Sequence, residues 1–106
     1  NKTMFLDKML KAIMHLPMKT GLIVTMKNGE TITGIIDTLY EDDNDLDFGS
    51  EGYEEFYSCV IEVTEVSRVS NTVYQPGQLT EINCKCPIEQ VQLFDGTVIW
   101  NASEGY

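Results

Sequence analysis

Residues 21–40, GLIVTMKNGETITGIIDTLY, constrain this chain more than any other stretch. Two β-prone runs flank Asn28-Gly29. Asn-Gly between such runs predicts a hairpin, because a type I′ turn needs φ > 0 at both central residues. Before the turn, Leu22, Val24 and Met26 alternate with Ile23, Thr25 and Lys27. After it, Thr31, Ile32, Thr33, Ile35 and Ile36 carry the β-branched bias of a pleated surface. Gly34 interrupts the second run, and the adjacent Ile35-Ile36 breaks its period of two. Together they predict a bulge or sharp bend there. A hairpin whose second strand bends at a glycine is how a small barrel begins to close.

The rest of the chain fits around that hairpin. Residues 3–16, TMFLDKMLKAIMHL, read as an amphipathic helix with Phe5, Leu6, Met9, Leu10, Ile13 and Met14 on one broad face. Thr3 suits its N-cap and Pro17 its stop. After the hairpin, residues 41–55 read as an acidic loop. Residues 56–70, FYSCVIEVTEVSRVS, have strand character, but the alternation breaks at Val60-Ile61 and after Val63. That pattern predicts two strands or one strongly bent one. Gln75-Pro76-Gly77-Gln78 is a turn, and residues 79–84 form a short strand before Pro87. Residues 91–100 form a second hairpin around Asp95-Gly96. The expected order is one helix and then six or seven short strands. With 106 residues the chain is read as a single domain, 1–106. Within it lie a helix at 3–16, a strongly bent antiparallel barrel of SH3-like type at 21–75, and a β extension at 76–106.

Charge limits the function classes. The formal net charge is −10. Residues 1–20 hold Lys2, Lys8, Lys11 and Lys19 against Asp7 alone; beyond them only Lys27, Arg68 and Lys85 face sixteen acids. Such a surface repels phosphate backbones over most of its area. No apolar run approaches the roughly 20 residues that span a bilayer, so no membrane partner is expected. No secretory signal is visible in the residues given. The cysteines are Cys59, Cys84 and Cys86, and an odd count argues for a reducing, cytoplasmic compartment.

Three constellations bear on chemistry. Asp43, Asp45, Asp47, Glu51 and Glu54 reproduce the oxygen positions of an EF-hand calcium loop, but Phe48 stands where the loop needs glycine. Cys59, Cys84, Cys86 and His15 offer three thiols and an imidazole of a possible zinc set, at a spacing tighter than the usual C-x₂-C. Nucleophilic catalysis has no matching pattern, since neither G-x-S-x-G nor a glycine-rich phosphate loop is present. The chain reads as a non-enzyme without a cofactor or resident metal.

A helix leading into a bent hairpin with Val24, Met26, Lys27, Asn28, Gly29, Ile32, Gly34 and Ile36 resembles the first half of the Sm motif. The Sm-like family includes the Sm, LSm and Hfq proteins. Val66, Arg68, Val73 and Tyr74 sit loosely in the pattern of its second half. The resemblance covers about residues 4–75; Tyr40, Asp43 and Val69 depart from the family's usual residues. It implies a ring-forming homo-oligomer, of roughly five to seven subunits, joined through strand edges. It also implies an RNA or nucleotide pocket, in which Asn44 meets a base edge, Tyr40 stacks on it and Arg68 approaches a phosphate. The second class is an acidic interaction module that binds a basic protein partner or imitates nucleic acid. The acidity favours the second and the motif the first; the Sm-like reading leads because it accounts for more of the chain's organisation.

Overall fold

The structure is a computed structural model that describes residues 8–43, 49, 51–52, 55–67 and 75–104. Among the described residues one α-helix, α1 (Lys8–Met14), precedes six strands: β1 (Gly21–Met26), β2 (Thr31–Asp43), β3 (Glu55–Val66), β4 (Leu79–Ile82), β5 (Ile88–Leu93) and β6 (Val98–Asn101). The protein is mainly β. All five strand pairings are antiparallel, and the sheet order is β4-β3-β2-β1-β5-β6. The sheet is open, with β4 and β6 as its outer members.

Both predicted hairpins form, but with a wider turn than expected. The Met26 N–H donates to the Glu30 carbonyl at 2.7 Å and the Gly29 N–H to the Met26 carbonyl at 3.0 Å. The loop is therefore Lys27-Asn28-Gly29, three residues rather than two. Only Gly29 is left-handed, with φ 94°; Asn28 is not. Asn28 acts through its side chain instead, its Oδ1 accepting the Glu30 N–H at 2.8 Å. A type I turn followed by a left-handed glycine is the common three-residue alternative. The same device joins β5 to β6: Gly96 has φ 94°, and Asp95 Oδ1 accepts the Thr97 N–H at 2.9 Å.

Bulges set which residues face the core, because one extra residue moves everything after it to the other face. On β2, Ile32, Gly34 and Ile36 are buried, Asp37 is the extra residue, and Leu39 then packs on the core. On β3, Cys59, Ile61 and Val63 are buried, Thr64 is extra, and Val66 packs inward after it. On β5, Glu89 is extra between buried Ile88 and Val91. Residues 55–66 are thus one bent strand. The break read at Ile35-Ile36 lies one residue later, since Ile35 keeps the outward phase and stays half-buried.

Phe56-Tyr57-Ser58-Cys59 defies alternation for a different reason: β3 is covered on both faces there. Cys59 faces the core, while the connection after β4 folds back over the other face. Asn83 drives that return. Its Oδ1 accepts the Lys85 N–H at 2.9 Å, its carbonyl accepts the Cys86 N–H at 3.1 Å, and its buried Nδ2 donates to Ser58 Oγ at 2.9 Å. Lys85 Nζ lies 5.6 Å from the centre of the Phe56 ring. Asn83, Lys85 and Cys86 thereby close the outer face over Phe56 and Ser58.

Helix α1 buries Met9, Leu10 and Ile13 completely and touches β3 and β6. Three strands separate those two in the sheet. A flat sheet would hold them about 19 Å apart, beyond the span of a helix about 10 Å long. The sheet therefore curls toward α1, and one apolar cluster from helix and strands fills the concavity. The extension at 76–106 belongs to this sheet: β4 covers part of β3, and β5 takes the free edge of β1. The strand edge available for a ring contact at β1 is consequently occupied within the chain.

Candidate functional site

The convex face of the β2–β3–β4 end carries a shallow open depression of about 440 Å³, lined by Tyr40, Val60, Leu79, Thr80 and Glu81. Register explains the grouping. Tyr40 stands opposite Ser58 on β3, and Val60 stands opposite Glu81 on β4. Among the described residues β4 is the outer strand on this side, and Leu79 and Glu81 project from it. Leu79 is 58% exposed and Tyr40 is 36% exposed. The Tyr40 hydroxyl donates to Glu81 Oε1, across 41 residues of sequence. The buried Asn83–Ser58 hydrogen bond anchors β4 just beyond the depression.

Acids dominate the surroundings. Glu41 follows Tyr40, Glu62 pairs with Leu79 across the strands, and both are exposed. Lys85 lies farther along the same face over Phe56, and Lys19 Nζ is 3.9 Å from Asp37 at the β2 bulge.

Of the residues singled out from sequence, Tyr40 falls in this depression. Asn44, Arg68, Asp45, Asp47 and Glu54 lie outside the described residues. The Asp43 backbone pairs with Glu55 at the end of the β2–β3 arm, and Glu51 is exposed in the turn region beyond it. Among the described residues no three His, Cys, Asp or Glu side chains gather in a metal-holding group. The zinc set read from sequence is not assembled. His15 is exposed at the end of α1, Cys59 is inside the core, and Cys84 and Cys86 are half-buried on the connection after β4. Leu79, Val60 and Glu81 were not legible as site residues. Only the β3–β4 register places them beside Tyr40, and no local pattern encodes it.

The thiols have a pH consequence. Burial pushes Cys59 from the ordinary 9.0 up to about 12. Burial also raises Cys86, opposed by its hydrogen bond with Asn83 and reinforced by the charge of Glu81. Above pH 9.0 the unfolded chain loses the Cys59 proton while the folded chain keeps it. The folded state then binds more protons, so stability falls with rising pH. This contribution is whole below pH 9.0 and is lost toward pH 12. Thermal melts between pH 8 and 11 should decline less steeply for Cys59→Ala than for the parent; equal slopes would contradict the burial effect.

Such a site offers a contact surface of tyrosine, leucine and carboxylate, the equipment of a protein that works by binding another. Comparison with known families agrees. A family model described as "Cognate immunity protein YxxD" matches residues 4–104, and the chain belongs to that family. No curated protein and no solved structure matches the chain.

This finding overturns the Sm-like reading and, with it, the RNA pocket and the ring. The residues behind the resemblance have a different cause. Lys27-Asn28-Gly29 is what a three-residue hairpin loop requires, and Gly34 is what a close strand approach requires. Neither is specific to nucleic-acid binding. The match also runs through 76–104, the stretch that has no Sm counterpart.

Proposed function

We propose that this protein neutralises a cognate toxin by binding it and occupying a surface the toxin needs, with no chemistry of its own. The observation that carries this reading is the immunity-protein match over nearly the whole chain. A net charge of −10 supports a basic target surface, since opposite potentials speed encounter and reject partners of like charge. The exposed Tyr40–Glu81 depression lies on strands β2, β3 and β4, which are paired before binding, so little backbone freedom is lost on contact there.

The test is co-expression with the cognate toxin. Cells making the toxin alone should stop growing, and cells making both proteins should recover. The two purified proteins should co-elute as one complex, with an association rate that falls as salt rises. A toxin that stays fully active beside an equimolar amount of this protein would overturn the reading.

A further inference from the structure

We infer that the depression between Tyr40, Leu79 and Glu81 is a receptor for one arginine side chain on the toxin's basic surface, an assignment that rests on the immunity reading above. Three features of the depression select that occupant.

The first is a carboxylate held in place. Tyr40 donates its hydroxyl proton to Glu81 Oε1, which leaves Oε2 to accept from an incoming donor. A surface glutamate ordinarily loses rotamer freedom when it is recruited to an interface. Glu81 has part of that ordering already in place.

The second is an apolar wall beside the charge. Leu79 and Val60 line the same depression, and Leu79 is more than half exposed. A side chain suited to this place needs an apolar stem and a cationic head, which describes arginine and lysine. An acidic partner would be repelled by Glu81, Glu62 and Glu41.

The third is an aromatic group next to the carboxylate. A guanidinium is planar, so it can lie against the Tyr40 ring while its N–H groups reach Glu81. An ammonium makes the charge contact but lacks the flat face. Arginine and tyrosine are also the residues that most often concentrate binding energy at protein interfaces.

The experiment measures the affinity of the cognate toxin for the parent protein and for Glu81→Gln, Tyr40→Phe and Glu89→Gln. Glu81→Gln keeps the shape and removes the charge, and should weaken binding by about tenfold or more. Tyr40→Phe keeps the ring and releases Glu81, and should weaken binding by a few-fold. Glu89 is exposed on β5, three strands from β3 in the sheet order, and Glu89→Gln should bind like the parent. All variants should melt with the parent, because every altered atom is at the surface. Replacing the toxin's surface arginines singly with lysine should uncover one whose loss is not additive with Glu81→Gln. Parental affinity in Glu81→Gln, or equal weakening by Glu89→Gln, would overturn the arginine receptor and leave the immunity reading standing. A parent protein that does not bind the toxin would overturn both.

Discussion

Gly34→Val is expected to destabilise the protein by about 3 kcal/mol or more, within the range set by overpacking and backbone displacement. Gly34 is buried on β2 opposite Val63. A Cβ added there would lie 2.8 Å from the Glu62 carbonyl oxygen and 3.0 Å from Ile61 Cδ1. The first of these atoms is backbone, held in the β2–β3 ladder, and cannot swing aside. Valine adds two further carbons to the same space. Relief would require β2 and β3 to separate where the Thr64 bulge already brings them into an unusual register. Gly34 is needed for a close approach between strands. Gly34→Ala meets the same oxygen, so it should lie between parent and valine in a chemical-denaturation series. Melting of the valine variant at the parental temperature would show that the two strands are not this close.

The hairpin at 21–40 was legible because its signals are local. Asn28-Gly29 and Asp95-Gly96 announce their turns, and Gly34 announces a close approach. The turn type was not legible, because Lys27 joins the loop without any special backbone requirement of its own. The reach of the long arms was hidden as well. Glu41, Asp42, Asp43 and Glu55 look like loop residues by charge, yet they pair as strand residues. Their strand character comes from backbone pairing alone, which the local pattern does not encode. The start of β5 was hidden by Pro87, whose carbonyl accepts the Lys27 N–H at 2.8 Å and ties the connection to the first turn.

Tyr40 could be named from sequence, but its role could not. The Sm-like resemblance implied that it stacks on a base. Its hydrogen-bond partner Glu81 is reached through β3, where Ser58 stands opposite Tyr40 and Val60 opposite Glu81. The Asp37 bulge shifts Tyr40 by one, so a sequence reading must get that bulge and the β3–β4 register right before Tyr40 and Glu81 fall on one face. The acidity, by contrast, was legible from the totals alone. It pointed toward a protein partner while the hairpin residues pointed toward an Sm-like ring. The immunity-family match decides for a protein partner over the ring. A turn loop can recur in many folds, whereas a net charge of −10 acts on every partner that approaches.

Trp100→Ala should lower stability by about 3–5 kcal/mol, the range for removing a buried tryptophan. Trp100 is 1% exposed, stands opposite Val91 and belongs to the cluster that includes Met9, Leu10 and Ile13 of α1. It lies on β6, which closes one side of the curled sheet against the helix. A small domain holds only about 5–15 kcal/mol in total, so this loss removes a large share of its stability. The size of the effect also reports on architecture. If β5 and β6 were an appendage to a complete barrel at 21–75, truncating Trp100 would loosen the appendage and leave the main melting transition in place. If the C-terminal hairpin completes the core, helix and sheet should melt together at a lower temperature. Trp100 is the chain's one tryptophan, so the variant is followed by far-ultraviolet circular dichroism rather than indole emission. A single cooperative transition at reduced temperature is the expected result. Toxin binding below that temperature should be retained, because the Tyr40–Glu81 depression is built from β2, β3 and β4. A transition unmoved by Trp100→Ala would separate the last two strands from the fold that carries the site.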